Sequence, residues 1–285
     1  MSFDQHSKKE QSFDKLRTAG SGIQPVTTTR FAPSPTGLLH LGHAWSAVQA
    51  HEVARAAGGR FLLRIEDIDE TRCRPEFTDA IYRDLEWLGL DWHGPVLIQS
   101  ERGEMYRAAV QWLAEQGLAY RCWCTRAEIE AAASAPHDGG PPAYPGTCKH
   151  RTPPWPETPH CWRISASAAG APLIDDFVIE RKDALSSYML ACTLDDAEQG
   201  VTDIVRGRDI EPLTPGQMLL QHVFGWPTPR YHHHPLIGTT DGKRLAKRNK
   251  APTLAAMREA GVDGRALAAD LRRGVFPVGF GVLAD

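Results

Sequence analysis

The order of apolar and polar positions predicts a strand–helix–strand unit near the start of the chain. A short apolar strand ends at Arg30-Phe31-Ala32. Apolar residues then recur at helical spacing, at Leu41, Ala44, Trp45 and Val48. A buried strand is expected over residues 60–65, after a helix stop at Gly58-Gly59. This order predicts a parallel βαβ unit, whose ligands lie at the carboxyl ends of its strands, so that residues 30–34 and Glu66 lie side by side.

Later segments predict more helices, two more strands and an insertion. Helices are expected over residues 75–88, 105–116 and 214–224, and the chain from Thr253 is expected to be mostly helical. Buried strands are expected over residues 188–194 and 230–237. The residues that follow Tyr120 are rich in alanine and proline and do not continue the βα pattern, which indicates an insertion with its own organisation.

The composition is that of an ordinary globular protein. The 285 residues are 42% hydrophobic and 24% charged, with a net charge of −3, so nucleic acid would have to bind a local basic patch. No apolar run is long enough to span a membrane, and the N-terminus lacks the apolar core of a secretory signal. The six cysteines are too few for a disulfide scaffold, and three of them cluster, which favours metal binding in the cytoplasm.

Residues 30–45 form the first candidate site. Two prolines and a glycine interrupt regular structure between the strand and the helix. A helix N-terminus after a tight loop offers backbone N–H groups and a positive dipole end to an anion. His40 and His43, three residues apart, can face one ligand over the first helical turn. The segment indicates a nucleotide triphosphate site; the alternative is a turn before a core helix, with surface histidines.

Residues 243–250, K-R-L-A-K-R-N-K, form the second candidate site. A run of charges is by default a solvated surface. The functional interpretation is a mobile loop that follows Gly242 and brings Lys247 to a phosphate as negative charge accumulates there.

The cysteines suggest a zinc site. Cys122, Cys124 and Cys148 provide three thiolates, and tetrahedral zinc needs one more ligand. The candidates for the fourth ligand are Tyr144, His150, His160 and Cys161. Because phenolate ligation is uncommon, chemistry alone favours His150; the alternative is that the cysteines pack as small hydrophobic residues.

Other charged and histidine residues carry weaker signals. Successive side chains in a strand point to opposite faces, so three histidines at 232–234 cannot converge on one metal. Arg30, Arg206 and Glu66 suit the carboxylates and the ammonium of an amino acid. The alternatives are a solvated strand end at Glu66 and a surface turn with local ion pairs at Arg206.

Several ordered motifs between residues 29 and 253 resemble those of class I aminoacyl-tRNA synthetases of the glutamyl type. His40-Leu41-Gly42-His43 is similar to the HIGH signature, and Arg244-Leu245-Ala246-Lys247-Arg248 is similar to the KMSKS signature. The segments R-F-A-P-S-P-T-G, R-I-E-D-I-D and D-I-V-R-G-R-D also resemble this family. The resemblance implies an α/β fold with a Rossmann-like parallel sheet, an inserted zinc-containing subdomain similar to an acceptor-binding one, and a short helical C-terminal part.

This implied fold divides the chain into five parts. They are a disordered tail (1–26), the first half of the catalytic domain (27–120), the inserted zinc-binding subdomain (121–180), the second half of the catalytic domain (181–237), and the KMSKS-like loop with the helical C-terminal part (238–285).

The resemblance also implies roles for individual residues. The residues expected to bind L-glutamate are Arg30, Phe31, Ala32, Pro33, Ser34, Glu66, Tyr188 and Arg206. Those expected to bind ATP are His40, Gly42, His43 and Lys247, and His40, His43 and Lys247 are expected to be catalytic. One structural Zn²⁺ is expected on Cys122, Cys124, Tyr144 and Cys148. The pattern with His150 as fourth ligand fits the sequence as well, so both remain open.

The chain stops soon after the KMSKS-like loop, where full-length glutamyl-tRNA synthetases continue into an anticodon-binding region. It thereby resembles the shorter glutamyl-Q tRNA(Asp) synthetases. The resemblance implies that glutamate is activated with ATP and Mg²⁺ without tRNA, and is then transferred to the queuosine base in the anticodon of tRNA(Asp). We expect a monomer whose partners are L-glutamate, ATP and queuosine-containing tRNA(Asp), with no membrane involved.

Three departures and three alternatives accompany the resemblance. Ala246 stands where the KMSKS-like loop usually has serine, which is expected to slow the chemistry at most; the N-terminal tail is extra, and the C-terminal end is atypical. The alternatives are a catalytically weak tRNA-binding module, a fragment of a discriminating glutamyl-tRNA synthetase, and a nucleotidyltransferase acting on a small substrate.

Overall fold

The computed structural model describes residues 26–132, 144–151, 158–243, 245 and 252–283. These residues form two compact units. One unit contains the described residues within 102–199 and 213–228. The other contains the described residues within 26–101, 200–212 and 229–283. All but the last residue of the predicted tail lie outside the described residues.

The second of these units begins with a parallel strand–helix–strand arrangement. Strand β1 (Thr28–Phe31), helix α1 (Leu41–Ala56) and strand β2 (Arg60–Ile65) follow one another, and β1 pairs in parallel with β2. Helix α2 (Pro75–Leu88) leads to strand β3 (Leu97–Ile98), which pairs in parallel with the other side of β2. The predicted parallel βαβ unit and the predicted helix over residues 75–88 are therefore confirmed.

Two glycines turn the chain between α1 and β2. Gly58 has a φ of +60°, a conformation that glycine adopts without steric penalty. At Gly59, a Cβ atom would lie 2.0 Å from the Thr27 carbonyl oxygen, so only glycine lets β2 start beside β1. This is the physical basis of the predicted helix stop.

A second parallel pair lies beside β1 in the same unit. Strand β7 (Asp203–Gly207) pairs in parallel with strand β8 (Arg230–His234). Just before β7, the Thr202 N–H donates to the Thr28 carbonyl (2.9 Å) and the Thr202 hydroxyl oxygen accepts from the Thr28 N–H (2.8 Å). The carboxyl ends of β1, β2 and β7 therefore meet at one edge of this unit.

The predicted strand over residues 230–237 is wrong in its length. Strand β8 ends at His234, because Pro235 has no N–H to continue the ladder. A separate strand, β9 (Ile237–Thr239), pairs antiparallel with β10 (Phe280–Val282). Along the chain, helices α7 (Leu254–Glu259) and α8 (Gly264–Arg272) lie between β9 and β10. This agrees with the prediction that the chain from Thr253 is mostly helical.

The core of this unit surrounds α1. The four apolar residues that predicted α1 are all buried, as are the side chains of α2 that face them: Leu41, Ala44, Trp45, Val48, Ile81, Leu85 and Leu88. Leu254, Leu267 and Leu271 bring α7 and α8 into the same core.

The other unit departs from the βα pattern, as the predicted insertion required. It contains helix α3 (Gly103–Glu115), strand β4 (Ala119–Cys122), helix α4 (Arg126–Ala132), and strands β5 (Cys161–Ile164) and β6 (Val178–Glu180). These three strands form an antiparallel sheet in the order β4-β5-β6. Helices α5 (Tyr188–Glu198) and α6 (Thr214–Phe224) complete the unit. Across the described ranges, no helix combines the length and the apolar character that a membrane crossing needs.

The strand predicted over residues 188–194 is wrong, because these residues form the start of α5. The Ser187 hydroxyl caps the helix by accepting from the Leu190 N–H at 3.3 Å. All residues from 190 to 196 are buried. A helix that is buried on every side shows no amphipathic period, so its sequence reads like a buried strand.

Candidate functional site

The carboxyl edge of the parallel strands brings together the residues predicted to bind an amino acid. The Glu66 N–H, just beyond β2, donates to the Pro33 carbonyl at 3.1 Å, so the loop after β1 and Glu66 lie side by side as predicted. Arg30, on β1, is buried with 4% of its surface exposed. A guanidinium nitrogen of the fully buried Arg64 lies 3.3 Å from a Glu66 carboxylate oxygen and so orients that carboxylate.

The rest of the loop after β1 supports this edge. Phe31 and Pro33 are buried, Ala32 is half-buried, and Ser34 is exposed. The Ser34 carbonyl accepts from the Thr36 N–H at 2.8 Å, which closes a tight turn before α1. Within residues 31–34, Ser34 is therefore the residue that faces solvent.

Arg206 provides a second buried cation at this edge. It stands near the end of β7 with 5% of its surface exposed, and its Nε lies 3.3 Å from Nε2 of His233 on β8. The alternative of a surface turn at Arg206 is thus wrong. Two buried guanidinium groups and one carboxylate in this unit match the two carboxylates and the ammonium of glutamate.

His40 and His43 form a reciprocal cap at the N-terminus of α1. The His40 Nδ1 accepts from the Gly42 N–H and the His43 Nδ1 accepts from the His40 N–H, both at 3.1 Å. The two rings lie 3.9 Å apart, centroid to centroid. Because both Nδ1 atoms accept, each neutral ring carries its proton on Nε2, which makes Nε2–H a donor for an anion.

Gly42 is required for this arrangement. A Cβ atom at position 42 would lie 3.1 Å from Cε1 and 3.2 Å from Nδ1 of the His40 ring. A larger residue would displace the ring by a few tenths of an ångström. The glycine of the His-Leu-Gly-His motif thus sets where the imidazole stands.

The basic segment begins and ends in the same unit as His40. On its far side, Thr253 forms an isolated antiparallel bridge with His40, and the Leu254 N–H donates to the Leu39 carbonyl at 2.8 Å. Thr253 also caps α7 through its hydroxyl. Lys247 itself lies outside the described residues. Thr253, six residues after Lys247 in the chain, is nevertheless paired with His40.

Tyr188, the remaining residue predicted to bind glutamate, belongs to the other unit. It is the first residue of α5, and 36% of its surface is exposed.

The three cysteines predicted to bind metal are buried together in the unit that contains the antiparallel sheet. The sulfur atoms of Cys122, Cys124 and Cys148 all lie within 4.8 Å of one another. The Tyr144 hydroxyl oxygen lies 3.3 Å from the Cys122 sulfur and 3.8 Å from the Cys124 sulfur, and it accepts from the Cys148 N–H at 2.9 Å. Three sulfurs and one oxygen are thus close enough to surround one small ion.

The other candidates for the fourth ligand are placed differently. His150 is exposed. His160 lies between Trp123 and Trp162, with Nδ1 3.0 Å from the Thr158 carbonyl. Cys161 is buried behind Cys122, with its sulfur 3.5 Å from the Cys122 carbonyl.

The electrostatics of the cysteine cluster suit a cation. Hydrogen bonds with the side chains of Cys161, Tyr144 and Arg163 lower the pKa of Cys122 to about 4, although burial opposes this. Burial raises the pKa of Cys124 to about 11. A thiolate-rich donor set with one oxygen fits Zn²⁺, whose charge would hold both sulfurs deprotonated.

Arg163 is a part of this site that the sequence did not reveal. Its guanidinium carbon lies 3.9 Å from the centroid of the Tyr144 ring. Arg163 stands on β5, far along the chain from Tyr144, and no local spacing links the two residues. Only the strand pairing, which sets Arg163 opposite Tyr120, brings it to the cluster.

Comparisons with known proteins identify relatives over most of the chain. The catalytic-domain model of class I tRNA synthetases (E and Q) matches residues 26–157 and 161–279. The chain is 45% identical over 276 residues to the glutamyl-Q tRNA(Asp) synthetase of Rhodobacter capsulatus, an alignment that covers 86% of this chain and 98% of that protein. It is 44% identical over 257 residues to the same enzyme of Geobacter sulfurreducens, covering 85% and 82%.

A solved structure has the same fold. The glutamate–tRNA synthetase of Elizabethkingia anophelis superposes with a TM-score of 0.71 at 28% identity, over 86% of this chain. The chain spans about three-fifths of that synthetase's length, with 61% covered.

Proposed function

We propose that this chain activates L-glutamate with ATP and transfers it to tRNA(Asp). The chain belongs to the glutamyl-Q tRNA(Asp) synthetases, which are ligases of the class I aminoacyl-tRNA synthetase family. In the first step, a glutamate α-carboxylate oxygen attacks the α-phosphorus of ATP in line. The bond from that phosphorus to the bridging oxygen breaks, and pyrophosphate leaves with Mg²⁺. No covalent bond to the protein forms, and tRNA is not needed for this step.

Glutamate recognition is proposed for the carboxyl edge of β1, β2 and β7. Arg30 and Arg206 are buried cations that match carboxylates, and Glu66, oriented by Arg64, matches the ammonium. Residues 31–34 supply the backbone beside Glu66, and Tyr188 is assigned to glutamate by family resemblance. A buried charge lacks water to solvate it, so a ligand of opposite charge is favoured at such a place.

ATP recognition is proposed for His40, Gly42, His43 and Lys247. The Nε2–H groups of the two histidines and the N-terminus of α1 would donate to phosphate oxygens as charge develops there. Lys247 would approach the same phosphates, because Thr253, six residues later in the chain, is paired with His40.

In the second step, a hydroxyl of the queuosine ring attacks the activated carbonyl. An ester forms, AMP leaves with the bonding electrons, and the hydroxyl proton passes to solvent. The name of the relatives supports tRNA(Asp) as the acceptor.

One structural Zn²⁺ is proposed for Cys122, Cys124, Tyr144 and Cys148. The position of the Tyr144 hydroxyl among the three sulfurs supports tyrosine rather than the exposed His150. Four protein ligands leave no open position, so the ion stabilises its surroundings and takes no part in the chemistry.

The observation that carries the proposal is that the reciprocal His40–His43 cap and the Pro33–Glu66 contact belong to the same unit, joined by the loop after β1. This arrangement supports a phosphate site and an amino-acid site that share one loop. The test is ATP–pyrophosphate exchange without tRNA, with each amino acid in turn. Exchange with glutamate alone is expected, and Arg206→Ala is expected to abolish it. A chain that shows no exchange would be a tRNA-binding module, and exchange that survives Arg206→Ala with any small acid would indicate a nucleotidyltransferase.

A further inference from the structure

The three consecutive histidines on β8 have three separate partners. His232 Nε2 lies 2.8 Å from a carboxylate oxygen of Asp203. His234 Nε2 lies 2.8 Å from the hydroxyl of Ser46 on α1. These two contacts join β8 to β7 and to α1, so His232 and His234 have structural roles.

His233 instead contacts Arg206. The parallel register of β7 and β8 sets Arg206 opposite His233, and the Arg206 Nε–H donates to His233 Nε2 at 3.3 Å. A guanidinium has no acceptor and stays protonated, so Nε2 must be the acceptor and the neutral ring must carry its proton on Nδ1. The Nδ1 atom lies 3.9 Å from a carboxylate oxygen of Glu211, which favours this tautomer.

An aromatic ring flanks the same guanidinium. The Arg206 guanidinium carbon lies 5.1 Å from the centroid of Tyr231, within the range of a cation–π contact. The Tyr231 and His233 rings are nearly parallel, with their centroids 6.1 Å apart. The rings of Tyr231 and His233, both on β8, therefore hold the guanidinium group of Arg206 on the neighbouring strand β7.

We propose that His233 is a positioning residue, which acts as a neutral acceptor at Nε2 and fixes the Arg206 guanidinium so that its terminal nitrogens receive a carboxylate of glutamate. This inference rests on the proposed function, because it takes Arg206 as the glutamate-binding residue. A planar fork pairs with a carboxylate in two parallel bonds, so rotation of the guanidinium weakens both bonds at once.

The charge state of His233 is part of the proposal. The charged or titratable groups that face it are Arg206, Glu211, His232 and His234. Burial, and after it the charge of Arg206, lower the pKa of His233, so the ring is neutral at pH 7. As the pH falls through that lowered pKa, Nε2 gains a proton, cannot accept and repels the guanidinium. Glutamate binding should therefore weaken on the acid side.

The experiment measures glutamate-dependent ATP–pyrophosphate exchange with the full chain from pH 5 to pH 8. His233→Ala is expected to raise KM for glutamate by about tenfold with kcat changed by less than about threefold, since one hydrogen bond to a charged group is lost. His233→Gln, whose amide oxygen can accept near the Nε2 position, is expected to restore most of the affinity and to remove the acid-side rise in KM. His222→Ala, at an exposed histidine on α6 that does not contact His233, is the control and should keep the wild-type KM and pH profile.

Three results would overturn the inference. They are an unchanged KM for glutamate in His233→Ala, equal losses in His233→Ala and His233→Gln, and a wild-type pH profile retained in His233→Gln. If His233→Ala does not fold, His233→Gln and the pH profiles decide alone. A wild-type chain without glutamate-dependent exchange would contradict the proposed function itself, whereas exchange lost in Arg206→Ala but unaffected in His233→Ala would contradict only the role of His233.

Discussion

The His40–His43 corner and the cysteine cluster differ in what completes them. At the corner, each imidazole is held by the backbone of its own helical turn, at 3.1 Å in both cases. In the cluster, the pKa of Cys122 is lowered and that of Cys124 is raised, so neighbouring sulfurs have different protonation states until a cation binds. The corner is complete as protein, whereas the cluster, under the proposed zinc assignment, needs a metal to complete it.

This difference predicts that substitutions at the two sites have different consequences. Substitutions at the corner should lower the rate of adenylate formation and leave most of the stability intact. Substitutions in the cluster should lower metal content and stability, because metal-binding energy there is folding energy.

The largest expected effect comes from His43→Ala. The loss of a charge-stabilising donor should lower kcat for glutamate-dependent exchange by about 10²–10³-fold. The lost cap should lower the free energy of unfolding by only about 1 kcal/mol. Exchange kinetics and thermal unfolding check both values, with His222→Ala, an exposed helical histidine, as the control. A His43→Ala rate within tenfold of the wild-type rate would refute the catalytic assignment.

Cys148→Ser tests the cluster. We expect zinc to fall from one ion per chain towards none, and the free energy of unfolding to fall by more than about 3 kcal/mol, because three ligands bind zinc poorly. Elemental analysis and denaturant unfolding measure the two quantities. Cys73→Ser, outside the cluster, should keep its zinc. Full zinc content and stability in Cys148→Ser would remove Cys148 from the ligand set, whereas a wild-type chain without zinc would show that the cysteines are ordinary core residues.

Tyr144→Phe and His150→Ala separate the two sets of zinc ligands. Tyr144→Phe removes the oxygen that lies 3.3 Å from the Cys122 sulfur and is expected to weaken zinc binding by about 10–100-fold. His150→Ala changes an exposed side chain and should leave the affinity unchanged. Competition with a chromophoric chelator measures both affinities. The reverse result would assign the fourth position to His150.

Gly42→Ala has the smallest expected effect. The new methyl group would press on the His40 ring at 3.1 Å and shift it by a few tenths of an ångström, which should lower kcat/KM for ATP by about threefold to tenfold. Gly281→Ala is the control, since a Cβ atom there meets no atom within 4 Å. Equal activity of the two variants would mean that the position of the His40 ring does not matter for catalysis.

Local patterns in the sequence predicted helices with one apolar face well, and the reason is physical. Helix α2 and helix α6 each present an apolar stripe and have clear start or stop signals, and both were predicted with the observed bounds. Helix α5 is buried on every side and was predicted wrongly as a strand. Strand β7 was not predicted as a strand, because its charged residues at 203 and 206 are buried through ion pairs and hydrogen bonds that depend on distant segments.

The candidate sites likewise differ in how many of their residues and contacts the sequence predicted. The corner is a contiguous motif, so its residues followed from the sequence, and so did the adjacency of residues 30–34 to Glu66. The contacts of Arg163 and His233 depend on strand register, which the sequence did not provide. The fourth zinc ligand was open on spacing alone, and the distances around the Tyr144 hydroxyl now favour tyrosine.

Transfer of labelled glutamate tests the central claim most directly. The acceptors are tRNA(Asp) with queuosine, the same tRNA without queuosine, and tRNA(Glu), each with ATP and Mg²⁺. The account predicts stable labelling of the queuosine-containing tRNA(Asp) alone. Labelling of tRNA(Glu), or of tRNA(Asp) regardless of queuosine, would contradict it.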